Sequence, residues 1–222
     1  MGDRRAKAEL FEQFALVGKA VANAKRLELL DVLGQGERSV EALAQAVGLK
    51  LTTASAHLQA LRHGGLVRSR REGTRIFYRL AGDSVARLYV ALREVAGEHR
   101  AETERAARAY LGEDDLEPVG RDDLLARLRD GDLALIDVRP RTEFEAGHIG
   151  GAISVPLDEL IHRVSELPAE LDVVAYCRGE YCVLAYEAVR VLRGSGRKAR
   201  RMSGGMLEWR AEERPVTVAP AG

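Results

Sequence analysis

The sequence predicts two domains of different class: a mainly α unit carrying a β-hairpin, followed by an α/β unit built on a central parallel sheet. Three observations carry this. Over the first hundred residues apolar side chains recur at helical spacing between glycine stops, and an arginine-rich alternating stretch interrupts them. Beyond residue 118 short apolar strands alternate with helical segments, the pattern of a parallel sheet covered by helices. Charge divides in the same way: the 222-residue chain is neutral, with 34 basic and 34 acidic side chains, yet residues 1–100 carry a net +6 and residues 101–222 a net −6. Residues 38–79 alone hold eight basic side chains against two acidic ones, so the positive excess sits there. That density points to a phosphate backbone as partner.

Composition narrows the class further. A hydrophobic content of 46% is globular, and no window approaches the roughly 18 apolar residues of a membrane span. The opening MGDRRAKAELFEQF lacks the apolar core of a signal peptide. A cytoplasmic protein without membrane association or cofactor is expected. The two cysteines, five positions apart, do not make a secreted disulfide framework, so reduced thiols with chemistry are expected in their place.

In chain order, Leu10, Phe14, Val17 and Val21 form an apolar stripe, and Leu27, Leu30 and Leu33 a second helix ended by Gly34. A third helix opens at Ser39, a good N-cap, and runs through Val40, Leu43 and Val47 to Gly48. In the following LTTASAHLQALRHGG, Thr52 or Thr53 is expected as the cap, Ala54, Leu58 and Leu61 face inward, and Gly64 with Gly65 stops the helix. Thr53, Ser55, Ala56, His57 and Gln59 are thereby left on the outer face. Two helices joined by a glycine-containing turn, with short polar side chains outward and a basic surround, describe a helix-turn-helix whose second helix reads DNA. Next, LVRSRREGTRIFYRL alternates like strands and breaks at Glu72 and Gly73, which predicts a hairpin bearing Arg68, Arg70, Arg71, Thr74 and Arg75, a wing. The expected DNA contacts are Thr52, Thr53, Ser55, His57, Gln59, Arg70, Arg71, Thr74 and Arg75.

Residues 7–100 resemble the ArsR/SmtB winged-helix repressors in ANAKRLELLDVL, in TTASAHLQALRHGGLV and in the wing REGTRIFYRL. The resemblance implies a homodimer built on the first and last helices, here 10–21 and 84–111, which places two recognition helices on a palindromic double-stranded operator. Metal-sensing members carry thiols in or near the third helix, or His and Asp ligands on the last. The third helix here, VEALAQAVGL, offers none, and the last offers only Asp83, Glu98, His99 and Glu102 as polar candidates. No metal site is expected, and sensing falls to the second domain.

The acidic stretch GEDDLEPVG, with Pro118 and two glycines, marks a boundary. The expected division is a DNA-binding and dimerisation domain at 1–111, a linker at 112–117 and a second domain at 118–218. In the latter, residues 124–128 are expected as helix and 134–138 as a buried strand, then 173–176 as a strand with its helix, and 198–202 as a last strand. Both cysteines fall in the strand-to-helix connection CRGEYC. Such a loop can curl backbone N–H groups around one point while the next helix adds the positive end of its dipole, a cradle for negative charge. Cys177, with Arg178 beside it, is placed to favour its thiolate, the nucleophilic form. Cys182 is either an inward-packed first-turn residue or a resolving thiol.

LIDVRPRTEFEAGHIGGAISVP, AYCRGEYC and SGGMLEW resemble the rhodanese domain over about residues 118–218. The resemblance implies that Cys177 is the sulfur-accepting nucleophile and that Arg178, Gly179, Glu180, Tyr181 and Cys182 form its active loop. Asp137, Arg139, Glu143 and His148 fall on the family's strand-end signature and are expected as a buried ion-pair network supporting the pocket. Gly204, Gly205 and Trp209 match the closing motif. Glu213, four residues after that Trp, stands where the family often has glycine, and Glu180 puts a negative charge into the cradle that Arg178 is expected only to offset, which weighs against fast thiosulfate turnover. The resulting expectation is a repressor whose Cys177 detects or receives sulfane sulfur from polysulfide, persulfide or thiosulfate. Two alternatives stand beside it: a sulfurtransferase whose winged helix only dimerises it, and an arsenate or redox sensor using a Cys177–Cys182 disulfide.

Overall fold

A computed structural model of the protein describes residues 3–112 and 117–218; most of the linker expected at 112–117 therefore lies outside the described residues. The chain divides into two compact units, Met1–Tyr89 and Val90–Gly222.

The first unit holds α1 (Arg4–Val21), α2 (Ala24–Leu33), β1 (Arg38–Ser39), α3 (Val40–Ala46), α4 (Leu51–His63), β2 (Val67–Glu72), β3 (Arg75–Leu80) and the first turns of α5 (Asp83–His99). Its core is leucine-rich: Leu29, Leu30, Leu33, Leu43, Leu58, Leu61 and Tyr78 are buried, each contributing about 1.5–3 kcal/mol of transfer free energy. Gly64 both ends α4 and lets it approach α1, since a Cβ there would collide with that of Ala20. Ser39 caps α3 as expected, its side chain accepting the Ala42 N–H at 3.3 Å. The antiparallel strands run in the order β1-β3-β2.

Local expectations shift in four places. The N-cap of α4 is Lys50, without a side-chain cap, so Thr52 and Thr53 lie inside the first turn and cap nothing. The left-handed Gly48 (φ +63°) turns the chain early enough for Leu51 to open the helix. The hairpin pairs Glu72 with Arg75, so its two-residue turn is Gly73-Thr74 and not Glu72-Gly73; only Gly73 needs positive φ (+59°). Leu10 and Phe14 of the first stripe are more than half exposed, and only the end of α1, through Val17, Ala20 and Val21, joins the core. The helix expected over 84–111 is two helices: Arg100 is extended (φ −132°, ψ 102°) and α6 (Ala101–Leu111) starts anew. Glu102 and Glu104 in the first turn of α6 favour a helix N-terminus there.

The second unit continues with α6, α7 (Arg121–Asp130), β4 (Leu133–Asp137), α8 (Arg141–Glu145), β5 (Ile153–Ser154), α9 (Leu157–Arg163), β6 (Asp172–Tyr176), α10 (Val183–Gly194), β7 (Ala199–Arg201) and α11 (Met206–Ala211). The sheet order is β5-β4-β6-β7, every pair parallel. Alternate residues of β6 face opposite layers. Val173, Ala175 and, just beyond the strand, Cys177 pack with Ala188, Val189 and Leu192 of α10, whereas Val174 and Tyr176 pack with Leu124, Met206 and Trp209. The period of two thus carries Cys177 onto the α10 side at the carboxyl end of the strand.

Two details fix this unit. At the end of β4, Asp137 and Arg139 form an ion pair with no exposure on either side chain: Nη2 donates to Oδ2 at 2.6 Å and Nε to Oδ1 at 3.0 Å. At the end of α11, the Arg214 N–H reaches the Trp209 carbonyl (3.2 Å) and the Glu213 N–H that of Arg210 (2.9 Å), a Schellman cap. That cap puts Glu213 at φ +55°, the one non-glycine residue with positive φ among those described. The glycine common at this place in rhodanese sequences has here its conformational reason.

Two outcomes are expected in urea unfolding. Asp137→Ala strands the buried Arg139 charge and should destabilise the second unit by about 3–5 kcal/mol. Glu213→Gly relieves the left-handed residue and should stabilise it by about 1 kcal/mol. An Asp137→Ala unit as stable as wild type would mean that Arg139 finds other compensation.

Candidate functional site

The basic surface of the first unit is a hairpin of arginines next in sequence to α4. Cross-strand register puts Arg68 opposite Arg79, Arg70 opposite Phe77, and Glu72 opposite Arg75, all on one face of the ribbon. Like charges directly opposite destabilise a hairpin unless an anion lies between them. Arg79 was absent from the sequence-derived set, and only the corrected turn position reveals its pairing with Arg68. Arg70 is committed within the chain: it pairs with Glu37 (2.6 Å) and Glu72 (2.5 Å) and lies over the Phe77 ring at 4.5 Å. These carboxylates raise its pKa above the ordinary arginine value. Arg71 donates to the Gly73 carbonyl at 3.0 Å, while Thr74 and Arg75 are exposed at the tip. On α4, Thr52 and Thr53 are exposed and Ser55 and His57 half-buried, so the expected outer face is only partly outward. Gln59 donates its amide to the Tyr78 hydroxyl at 3.0 Å, which ties the helix to the wing.

In the second unit the loop from Cys177 to Cys182 connects β6 to α10, with Cys182 at the N-cap. Cys177 is fully buried. The two cysteines are joined as a disulfide, with Cα atoms 6.4 Å apart. That separation lies inside the range a disulfide spans. The turn after β7 closes over the loop: the Met206 N–H donates to the Cys177 carbonyl (3.0 Å) and the Leu207 N–H to that of Arg178 (2.9 Å). Gly205 is needed for this approach, because a Cβ would stand 2.5 Å from the Cys177 carbonyl oxygen and from the Gly179 nitrogen.

The polar partners of the loop differ from the expected arrangement. Arg178 does not offset Glu180. It reaches across to Glu143 on α8, a carboxylate with 2% exposure, through Nη2 (2.8 Å) and Nε (3.0 Å). The charge expected to favour the Cys177 thiolate is thus paired with a buried anion. Glu180 accepts the Gly204 N–H at 2.8 Å. The Glu180 N–H turns to Glu208 (3.3 Å), and the Cys182 N–H to the Gly179 carbonyl (3.0 Å). Two amides of the expected anion cradle are therefore held by acceptors of the chain itself.

Of the four supporting residues, Asp137 with Arg139 and Glu143 with Arg178 form buried or half-buried pairs. His148 belongs to neither: its ring stacks on Phe144 at 3.7 Å, Nδ1 meets the Phe144 carbonyl at 2.9 Å, and its backbone bridges Thr217. Tyr176, just before Cys177, accepts the Ile149 N–H at 3.1 Å. Burial, joined by the Asp137 charge, pushes its hydroxyl well above the usual tyrosine pKa. Arg93 and Glu208 stand outside the expected site residues, although Glu208 lies within the SGGMLEW motif. Arg93 on α5 pairs with Glu208 of α11 at 3.0 Å and lies over the Tyr181 ring at 4.8 Å. Among the described residues no helix is long and apolar enough to cross a membrane.

Known proteins resemble the chain in both units. A rhodanese-like domain model matches residues 120–212, and a helix-turn-helix domain model residues 21–70. The HTH-type transcriptional regulator Rv0324 of Mycobacterium tuberculosis is 53% identical over 222 residues, covering 100% of this chain and 98% of its own. A sulfurtransferase of Allochromatium vinosum is 35% identical over 107 residues, which cover 47% of this chain and 96% of its own. Among solved structures, the homodimeric winged helix-turn-helix DNA-binding domain of a possible ArsR-family regulator from Mycobacterium bovis is 58% identical. It covers 46% of this chain and 94% of that one, with a TM-score of 0.43. Full-length similarity to a helix-turn-helix regulator, with a helix-turn-helix model on the N-terminal part and a rhodanese-like model on the C-terminal part, shows that the chain belongs to the ArsR-family transcriptional regulators and carries a C-terminal rhodanese domain.

Proposed function

We propose that this regulator is a cytoplasmic homodimeric repressor of a palindromic operator and that its rhodanese domain senses sulfane sulfur through Cys177. In this reading residues 1–111 bind DNA and dimerise, 112–117 link, and 118–218 sense. The observation that carries it is the position of the two thiols in one short loop, Cα atoms 6.4 Å apart, so that the same loop accommodates a free and a bridged state. The Cys177 thiolate attacks the outer sulfur of a persulfide RSSH, forming the Cys177 persulfide and releasing RS⁻. The Cys182 thiolate then attacks the inner sulfur, closing the Cys177–Cys182 disulfide and releasing HS⁻. Thiosulfate reaches the same persulfide with sulfite as leaving group. The commitment of loop amides to Glu208 and Gly179 favours persulfide or polysulfide donors over this dianion.

Dimerisation is supported by the apolar side chains left on α1, where Leu10, Phe11 and Phe14 are 51–58% exposed, more than a monomer usually leaves on one helix. DNA binding is supported by the Arg68–Arg79 cross-strand pair, which a phosphate between the two strands would relieve.

Two measurements test these assignments. In titrations of DNA from upstream of its own gene, affinity should fall steeply with salt. Arg75→Ala and Arg79→Ala should each lower the log–log salt slope by about 1, and Arg70→Ala by less, because its charge is already neutralised. A salt-independent interaction would refute the repressor reading. The second measurement combines intact-protein mass with DNA affinity after polysulfide. Cys177→Ser should abolish sulfur uptake and the change in DNA affinity, whereas Cys182→Ser should retain the persulfide and lose the change. A response intact in Cys177→Ser would exclude this mechanism. Catalytic turnover with no DNA response would identify a sulfurtransferase, and a response to peroxide alone a redox sensor.

A further inference from the structure

The reactive loop is held on its outer side by a cation from a helix that no rhodanese motif includes. Arg93 stands on α5, and its side chain, 14% exposed, pairs with Glu208, 11% exposed, at 3.0 Å. One oxygen of that carboxylate accepts the Glu180 N–H within the loop (3.3 Å) and the other the Gly205 N–H of the closing turn (2.8 Å). The same guanidinium lies 4.8 Å from the centroid of the Tyr181 ring, one residue before Cys182. One turn further along α5, the Tyr181 hydroxyl stands 3.4 Å from where a Cβ on Gly97 would be. A Cβ on Gly179 would meet Arg93 Nη1 at 3.1 Å and both Glu208 oxygens at 3.2 Å, so the clamp sits directly against the loop backbone.

We propose that Arg93 is a positioning residue for the Cys177–Cys182 pair, acting through Glu208 on the Glu180 amide and through Tyr181 on the residue before Cys182. The inference deepens the sulfur-sensing reading and rests on Cys177 and Cys182 being its reactive thiols. The clamp is formed together with the bridged loop. Removing it withdraws a partner from the Glu180 N–H and a ring contact from Tyr181, on the two residues between which the loop turns towards Cys182. The bridged arrangement loses more by this than an open dithiol loop, which is free to find other partners.

The test needs neither DNA nor a sulfur donor. The full-length protein is equilibrated with glutathione and glutathione disulfide, in which two glutathione thiols reduce the Cys177–Cys182 bridge and leave as one glutathione disulfide. The two forms are then quantified by thiol alkylation and intact mass. Arg93→Gln and Glu208→Gln should each shift the equilibrium towards the dithiol by about fivefold or more, the size of a typical coupling between sites. The double variant should go no further than either single one, because both remove the same clamp. Arg93→Lys, which keeps the charge but not the planar contact with Tyr181, should fall between wild type and Arg93→Gln. Glu94→Gln, a change of charge at the adjacent exposed position, should match wild type. An Arg93→Gln equilibrium within roughly twofold of wild type would overturn the proposal, since coupling below that size positions nothing. So would an Arg93→Lys value no closer to wild type than that of Arg93→Gln. Failure of polysulfide to change DNA affinity would count against the sensing reading alone, because the glutathione equilibrium is measured without either.

Discussion

The rhodanese unit depends on the buried ion pair at the end of its central strand. Asp137 closes β4 and receives Arg139 through both side-chain and backbone donors, and the remaining reach of the guanidinium goes to the Gly147 carbonyl at 2.8 Å. Opposite Asp137 in the sheet stands Tyr176, whose hydroxyl holds the Ile149 N–H. Cys177 is the next residue. Replacing such a pair by apolar side chains of equal volume is often neutral or stabilising, so bulk stability does not explain it. Its effect is geometric: a bidentate guanidinium fixes the strand end, the loop after α8 and the residue before Cys177 in one arrangement.

The second constraint is the commitment of polar groups in and around the loop to partners of the chain itself. A strand-to-helix loop with free amides attracts anions. Here Glu208 takes the Glu180 N–H of the loop and Glu143 the Arg178 guanidinium, while Glu180 ties the loop to the Gly204 N–H of the closing turn. Two of these carboxylates are themselves paired, Glu143 with Arg178 and Glu208 with Arg93, so the cations near the loop are committed as well as its donors. The same logic runs through the wing. Arg70 is neutralised by two carboxylates and stiffens the ribbon, while Arg68 and Arg79 oppose each other and gain from an external phosphate.

Much of this was legible in the sequence where the signal is local. Helical spacing and glycine stops located α2, α3 and α4, and the apolar run before CRGEYC located β6 and the loop. The misplaced features have non-local causes. The start of α4 at Leu51 follows from the left-handed turn at Gly48, and the break falls at Arg100, a residue type that favours helix, three positions after Gly97. The turn at Gly73-Thr74 is set by strand register over six pairs, not by the residues at its centre. Arg178 looked like a partner for its neighbour Glu180, yet its carboxylate lies 35 residues away in sequence. Glu208 reaches the loop across 28 residues, and no spacing rule links such positions. His148 matched a motif but serves the backbone bridge to Thr217 and the stack on Phe144.

In the proposed sensing role, a sulfur atom added at Cys177 can act on the rest of the chain only through contacts that differ between the two states of the loop. The residues inside the loop are Arg178, Gly179, Glu180 and Tyr181. Arg178 is anchored to Glu143 on a short helix within the rhodanese core, and Gly179 has no side chain to carry a signal. Glu180 and Tyr181 remain, and both touch the Arg93–Glu208 clamp. Arg93 belongs to α5, an unbroken helix that runs from Asp83 to His99 across the boundary at Tyr89 between the two compact units. Within that helix each turn is fixed by backbone hydrogen bonds, so Arg93 meets Glu208 and Tyr181 from a regular scaffold and not from a loop.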